Sequence, residues 1–392
     1  MTSTIGRAAG PWARAATSLT AAGLSTVDTV TAGLARGGLP SARALGARKD
    51  EIARRTSGSP HLRDGVFHNH QPIEPAVDAD LGVLTDMIRH PGRPHHAIPV
   101  LTPQLDDERA DLSATWLGHA SVLVDLDGVR ILTDPVFSRR CSPSQRVGPA
   151  RMHRPPLAVG ALPSIDVVLI SHDHYDHLDM ATVVELARRQ PAARFITSLG
   201  VSAHLVAWGI DPNRIQEADW WGTCAVTVGS TDLTFTCCPA RHFSGRALVR
   251  NTTQWASWSV HGPEHRLFFS GDTGFCEQFD EVGARLGPFD LTLIAVGAYD
   301  PVWPDVHVNP EEAVRVHRML TRDRGRDAVM IPIHWGTFNL ARHPWAEPIT
   351  RLLPSAAAES ATVVVPPPGG TIDLRTRTGT GTHNPAWWEA SA

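Results

Sequence analysis

The chain has 392 residues, of which 42% are hydrophobic, and a formal net charge of −4. Its length exceeds one average domain, and its hydrophobic content is ample for a buried core. The lack of a basic excess argues against nucleic acid as the main partner, and the lack of an apolar run of about 18 residues argues against a membrane-spanning helix.

Two features bear on where the protein resides. Its five cysteines, an odd number without a C-x-x-C pair, argue against a disulfide framework and favour a cytoplasmic location. Residues 1–70 form a leader rich in Ala, Gly and Arg, and apolar side chains recur at spacings of three and four across residues 10–35. One interpretation is an amphipathic helix in peripheral contact with the inner face of the membrane. The alternatives are a helix docked on the protein and a partly disordered leader.

The remaining chain divides into three predicted segments. Residues 71–112 are rich in proline and are predicted to wrap the body as irregular chain. A compact domain is predicted over 113–375, followed by a C-terminal tail over 376–392. Strands are predicted at 115–117, 121–126, 129–133, 167–170, 194–197, 233–237, 254–260, 267–270, 291–296 and 329–333, and helices after Asp179, at 278–286 and at 310–320. Strand clusters interleaved with helices predict an α/β domain of two packed sheets with outer helices.

The densest group of candidate metal ligands follows the predicted strand at 167–170. His172-Asp173-His174-Tyr175-Asp176-His177 places four imidazole or carboxylate groups within six positions. Imidazole and carboxylate suit zinc, and the H-x-H-x-D-H spacing can serve two adjacent metals. His172 and His174 would reach one ion, and Asp176 and His177 the other. The alternative is a solvated, histidine-rich loop, which a fixed-spacing motif in a strand-to-loop context disfavours.

Further ligands are predicted where later strands end. His242 follows the strand at 233–237, Asp272 lies at a glycine-flanked break after the strand at 267–270, and His334 ends the strand at 329–333. His242 would complete the first ion and His334 the second, with Asp272 shared between them. Each of these residues alone could equally be a core histidine or a turn aspartate. The expected cofactors are two Zn²⁺ ions, with Fe and Mn left open because the ligand set tolerates several metals.

This order of ligands resembles the metallo-β-lactamase superfamily, and further blocks resemble its branch of phospholipases D that hydrolyse N-acyl-phosphatidylethanolamine. The resemblance covers about residues 100–350 and implies an αββα sandwich of two mixed β-sheets with a dinuclear site at one edge. The blocks include Trp116-Leu117-Gly118-His119-Ala120, Thr133-Asp134-Pro135-Val136-Phe137, Gly271-Asp272-Thr273-Gly274, His307-Val308-Asn309-Pro310 and Ile333-His334-Trp335-Gly336-Thr337.

The resemblance implies a dinuclear zinc phosphodiesterase acting on a phospholipid. Two zinc ions about 3.5–4 Å apart can hold a bridging hydroxide and bind a phosphoryl oxygen. The products would be phosphatidic acid and N-acylethanolamine, and Asp176 and His307 are the predicted catalytic residues. The alternatives are a related hydrolase of a lactone or small phosphorylated metabolite and a non-catalytic metal-binding module. A homodimer is left open.

Overall fold

The computed structural model describes residues 40–73, 92–105, 107–246, 249–322, 327–376, 378–380 and 386–392. The helix predicted across residues 10–35 therefore lies outside the described residues. Within these segments, no helix combines the length and the apolar character needed to cross a membrane.

The first sheet has eight strands in the order β17-β16-β3-β4-β5-β6-β7-β8. The pairs β16–β3, β3–β4 and β4–β5 are antiparallel, whereas β5 to β8 run parallel. The strands are β3 (Leu112–Gly118), β4 (Ser121–Leu126), β5 (Val129–Thr133), β6 (Val167–Ile170), β7 (Arg194–Ser198), β8 (Ile215–Ala218), β16 (Thr371–Asp373) and β17 (Thr378–Gly379).

The second sheet has seven strands in the order β15-β14-β13-β12-β11-β10-β9. Here β9 to β12 are antiparallel and β12 to β15 are parallel. The strands are β9 (Thr223–Val228), β10 (Thr231–Cys238), β11 (Ser257–His261), β12 (Arg266–Phe269), β13 (Leu291–Ala295), β14 (Val329–Ile333) and β15 (Thr362–Val363). A separate hairpin pairs β1 (Leu62–Arg63) with β2 (Val66–Phe67).

Helices cover the outer faces of both sheets. On β6, Val167 and Leu169 join the core shared by the two sheets, whereas Val168 and Ile170 pack with Val183 and other residues of the outer helical layer. Because side chains alternate along a strand, a strand covered on both faces is apolar throughout, and β6 is an example. Among the described residues, the α-helices are α1 (Pro40–Arg43), α2 (Lys49–Thr56), α3 (Met180–Arg189), α4 (Ser202–Ala207), α5 (Gln278–Leu286), α6 (Pro310–Thr321) and α7 (Glu347–Ala358).

The predicted αββα sandwich of two mixed sheets is confirmed. The strands predicted at 129–133 and 329–333 and the helix at 278–286 have the predicted bounds, and the strand predicted at 254–260 lies at 257–261. The boundaries at residues 70, 112 and 375 remain predictions. Chain on both sides of the predicted domain packs against it, since Phe67 and Trp387 are both buried in the core shared by the two sheets.

Candidate metal centre

The H-x-H-x-D-H residues lie on a tight turn that leaves the end of β6. We call residues 171–178 the motif loop. The turn is closed by hydrogen bonds from the His177 and Leu178 N–H groups to the carbonyl of His174, at 3.1 and 2.8 Å. His172 and His174 project to one side of the resulting site, and Asp176 and His177 to the other, as the contacts below show.

Four side chains form a first donor group: His172, His174, His242 and Asp272. Their ligand atoms all lie within 4.8 Å of one another. His174 Nδ1 is 2.8 Å from His172 Nε2 and 3.3 Å from His242 Nε2. Asp272 Oδ2 lies 4.0 Å from His172 Nε2 and 3.7 Å from His242 Nε2.

A second donor group adjoins the first and contains Asp176, His177 and His334, with Asp272 in contact with both groups. His334 Nε2 is 3.1 Å from His177 Nε2 and 3.2 Å from Asp176 Oδ2. Asp272 Oδ2 lies 3.0 Å from His177 Nε2 and 3.1 Å from His334 Nε2. The structure therefore brings together all seven side chains predicted as ligands.

Asp272 reaches both groups because the chain turns sharply after β12. Gly271 has a φ of +54°, and a Cβ at this position would lie 2.6 Å from Ser171 Cβ and 2.8 Å from the Ala256 carbonyl oxygen. Only glycine fits this combination of left-handed backbone and close approach. The turn is thus packed directly against the motif loop, and it aims one carboxylate oxygen between the two sets of imidazoles.

The geometry and charge of the cluster fit divalent cations. Pairs of imidazole nitrogens in the cluster lie 2.8–3.3 Å apart, and two such nitrogens repel each other when no hydrogen lies between them. Ligand atoms that bind one tetrahedral ion at about 2.0–2.1 Å are roughly 3.3 Å from one another. The observed spacing is therefore close to that of ligands around a shared ion. Burial alone would lower the pKa of His177, but the carboxylates of Asp272 and Asp176 raise it well above its ordinary value. Burial also lowers the pKa of His334, but the same two carboxylates outweigh it and raise this pKa to about 9. The site therefore favours positive charge.

Burial has the opposite outcome in the first donor group. It lowers the pKa of His172 and of His242 well below the ordinary value, and neighbouring histidines add to the effect at His172. Neutral imidazole is the form that binds a metal. His242 Nδ1 lies 2.8 Å from the carbonyl oxygen of Val306, so a proton on Nδ1 leaves the lone pair on Nε2, which faces the cluster.

Sequence reasoning missed the role of Asp134, which follows β5. Asp134 Oδ2 accepts a hydrogen bond from His177 Nδ1 at 2.6 Å, and Asp134 Oδ1 accepts one from the Ser171 N–H at 2.8 Å. A carboxylate behind an imidazole fixes its tautomer and orientation, so that Nε2 faces the site. The signal in the sequence was the position of Asp134 at a strand end beside β6, the same criterion that predicted His242, Asp272 and His334 as ligands.

His119, predicted to pack against or support the site and not to bind metal, lies next to the second donor group. It lies between β3 and β4 with a φ of +55°, and its Nε2 is 3.0 Å from Asp176 Oδ2. Its backbone carbonyl accepts a hydrogen bond from the N–H of His334 at 3.1 Å. His119 thus contacts two members of the second donor group, one through its side chain and one through its backbone.

His307, predicted to be catalytic, lies beside both donor groups. Its ring centroid is 5.1 Å from that of His242 and 5.3 Å from that of His334. Burial lowers its pKa to about 4, and its Nδ1 has no hydrogen-bond partner among the described residues. The Val308 N–H donates to the Thr273 carbonyl at 2.8 Å, which ties this segment to the turn that carries Asp272.

A cavity of about 540 Å³ opens on His307. Its wall combines both signs of charge, and each arginine is paired with a carboxylate: Arg342 with Asp300, and Arg351 with Glu347 at 3.2 Å. The lining also includes Tyr299, Asn309 and Glu312. The charged and polar side chains in this wall, next to the unpartnered Nδ1 of His307, are suited to a polar substrate group.

Comparisons with known proteins identify the class. Residues 129–335 match the family model described as Beta-lactamase superfamily domain. Two solved structures share the fold. Igni18, a metallo hydrolase from Ignicoccus hospitalis, matches at a TM-score of 0.50 and 22% sequence identity, over 67% of this chain and 97% of that one. An isothiocyanate hydrolase from Delia radicum gut bacteria matches at a TM-score of 0.52 and 18% identity, over 67% of this chain and 98% of that one. The fold and the site thus define a metal-dependent hydrolase.

Two relatives in sequence narrow the assignment. An uncharacterized protein of Mycobacterium tuberculosis is 50% identical over 336 residues, which is 84% of this chain and 88% of the relative. N-acyl-phosphatidylethanolamine-hydrolyzing phospholipase D 1 of Caenorhabditis elegans is 40% identical over 250 residues, which is 62% of this chain and 69% of the relative. The chain therefore belongs to the β-lactamase superfamily, in the branch that includes N-acyl-phosphatidylethanolamine-hydrolysing phospholipases D, and the predicted family is confirmed.

Proposed function

We propose that the protein is a dinuclear zinc phosphodiesterase of phospholipase D type. Its proposed substrates are N-acyl-phosphatidylethanolamine-like phospholipids, and its products are phosphatidic acid and N-acylethanolamine. The observation that carries the proposal is the single oxygen of Asp272, which faces imidazoles of both donor groups at 3.0–4.0 Å. The similarity to the C. elegans phospholipase D supports the choice of substrate.

Seven residues are proposed to hold the metal pair. His172, His174 and His242 would hold one ion, Asp176, His177 and His334 the other, and Asp272 both. When bound, two divalent ions supply a water that is nucleophilic at neutral pH and withdraw charge from a phosphoryl oxygen. Zinc is proposed because the donor set is imidazole and carboxylate, and Fe and Mn are the competing choices.

Asp176 and His307 are proposed to act on the reacting groups. The side chain of Asp176 is 15% exposed and that of Asp272 only 2%, so Asp176 is the carboxylate that a water or substrate atom can reach. In the tautomer protonated at Nδ1, neutral His307 can donate a hydrogen bond to a phosphoryl oxygen. The adjacent cavity would receive the polar part of the substrate near the scissile bond.

The proposed reaction adds water across one P–O bond. The water oxygen bonds to phosphorus, the bond from phosphorus to the ethanolamide oxygen breaks, and the released alkoxide takes one proton to become N-acylethanolamine. Phosphatidic acid keeps the new oxygen together with the second proton of the water. Peripheral membrane contact through residues 10–35, a cytoplasmic location and a homodimer remain predictions.

Metal analysis combined with a substrate panel tests the proposal. Purified protein is expected to contain two equivalents of zinc and to hydrolyse N-acyl-phosphatidylethanolamine in mixed vesicles, in preference to phosphatidylcholine, bis(p-nitrophenyl) phosphate and a lactone. In water labelled with ¹⁸O, the label should enter phosphatidic acid and not N-acylethanolamine. Turnover of the lactone alone would refute the lipid assignment, and a metal-free active protein would refute the dinuclear site.

A further inference from the structure

A short segment near the start of the described chain is bonded to residues far away in sequence. We call residues 43–47, which run from the last residue of α1 toward the start of α2, the strap. The carbonyl of Arg43 accepts a hydrogen bond from Trp208 Nε1 at 2.8 Å. The carbonyl of Ala44 accepts from Arg246 Nε and Nη2 at 3.1 and 2.8 Å, and the N–H of Ala47 donates to His204 Nδ1 at 2.9 Å. Three separate contacts therefore fix the strap to the domain.

Arg246 connects the strap to the motif loop. This arginine is buried, and its Nη1 donates at 2.7 Å to the carbonyls of both Asp173 and Leu178, near the two ends of the loop. Its guanidinium lies 4.1 Å from the centre of the Tyr175 ring, within the loop. The guanidinium fork is rigid and offers five donors, so it can join carbonyls of two chain segments in one geometry.

His204 makes a second connection, through Asp173. Because His204 Nδ1 accepts from the Ala47 N–H, its proton lies on Nε2, which faces Asp173 Oδ2 at 3.3 Å. The Asp173 carboxylate also accepts from Thr253 Oγ1 at 2.8 Å and from the Gly245 N–H at 2.7 Å. Asp173 is thus held on all sides by donors.

Asp173 lies between two proposed ligands, His172 and His174, so fixing it fixes the directions of both. We propose that Arg246, His204 and Asp173 are positioning residues through which the strap holds the motif loop in the shape that binds a metal at the first donor group. This inference rests on the proposed ligand set. Partners behind the ligands of a metal typically contribute about 10–100-fold to its affinity.

A substitution at Gly46 would displace the strap and leave the residues of the motif loop unchanged. Its φ is +86°, and a Cβ there would lie 2.2 Å from His204 Nδ1. Gly65 is a matched control, because its φ is +76° and a Cβ there meets no atom within 4 Å. Both changes to alanine strain a left-handed backbone, but only Gly46→Ala presses against His204.

The experiment follows metal content by mass spectrometry during dialysis against increasing concentrations of a chelator. Gly46→Ala is expected to lose one of two ions at about 10–100-fold lower chelator concentration than the wild type, while the second ion stays. Gly65→Ala should match the wild type. Equal retention of both ions in Gly46→Ala and Gly65→Ala would overturn the inference. Loss of both ions from Gly46→Ala at the same chelator concentration, together with a lower melting temperature, would also overturn the inference, because it indicates that the whole fold is destabilised.

His204→Gln decides the question if Gly46→Ala does not fold. Glutamine keeps an amide N–H near the place of Nε2, for Asp173, but its acceptor Oε1 is also at the end of the side chain, so no acceptor remains at the place of Nδ1 for the Ala47 N–H. The expected result is again early loss of one ion, and wild-type retention would overturn the strap's role. A wild-type protein that holds no metal would instead contradict the proposed function, so the two failures are distinguishable.

Discussion

The two halves of the motif loop are supported in different ways. The first half, with His172 and His174, depends on Asp173, which is held by chain from well outside the loop, including the strap through His204. The second half, with Asp176 and His177, is held by Asp134 and His119, which follow strands of the same sheet as β6. The second half is therefore supported mainly from the ends of strands in that sheet, whereas the first depends partly on the strap, which precedes every strand of the two sheets.

The largest effect is expected from Asp272, the residue common to both halves. Asp272→Asn keeps the size of the side chain but removes the charge that faces both donor groups. We expect loss of both ions and a fall in kcat/KM of at least about 10³-fold, since metal chemistry supplies several kcal/mol. Metal analysis and turnover of N-acyl-phosphatidylethanolamine measure the two quantities. Asp232→Asn, at an exposed pair with Thr227, is the control, and a variant of Asp272 that keeps both ions would contradict the shared role.

His307 should separate catalysis from metal binding. His307→Gln is expected to keep both ions and to lower kcat by about 100-fold, because a positioned imidazole contributes roughly 10²–10⁴-fold. The measurement is steady-state turnover on vesicles alongside metal content. Unchanged kcat would exclude His307 from the reaction, and a lost ion would make it a ligand.

Asp134 tests the support behind His177, and because it also accepts from the Ser171 N–H, it touches the start of the loop as well. Asp134→Asn removes the charged acceptor behind His177, and we expect about 10–100-fold weaker binding of one ion, comparable with the effect at the strap. Combining Asp134→Asn with Gly46→Ala should empty both positions, each at its own chelator concentration. If the double variant still loses only one ion, the two halves of the motif loop do not bind separate ions, and the difference between their supports has no consequence for metal binding.

The convergence of the seven candidate ligands could be predicted from the sequence because their positions follow from the fold. A buried strand followed at once by H-x-H-x-D-H leaves few conformations, and His242, Asp272 and His334 each follow a strand whose end meets the same edge. Asp134 met the same criterion, but a single aspartate after a strand is equally typical of a turn. Its role depends on the 2.6 Å contact with His177, which is 43 positions away.

Two elements, the strap and the helix α7, were not predicted because they are stabilised by contacts with distant residues and not by a pattern in their own sequence. The strap has no periodicity of its own, and its bonds reach residues 157–202 positions away. The helix α7 contains Pro354 in its interior, which local rules disfavour. Its formation depends on packing against α6, a contact that no pattern within residues 347–358 reports.

A buried histidine outside both halves should give a smaller effect, on stability. His317, on α6, lies 2.9 Å from Thr292 Oγ1 through its Nδ1, and burial lowers its pKa from 6.5 to about 4. Between these two values the unfolded chain binds more protons than the folded one, so stability falls as the pH falls through this window. At pH 5 this group should cost about 2 kcal/mol relative to pH 8.

The control for this effect is His317→Asn, which keeps a polar atom near Nδ1 and does not titrate. Denaturant unfolding at pH 8 and pH 5 gives the change in free energy for each protein, and the wild type should lose about 2 kcal/mol more than the variant. Because both proteins carry the same motif loop, acid effects on the donor groups cancel in this difference. Equal losses would mean that His317 does not contribute to acid sensitivity, and that the helical layer covering the second sheet gains no pH dependence from this histidine.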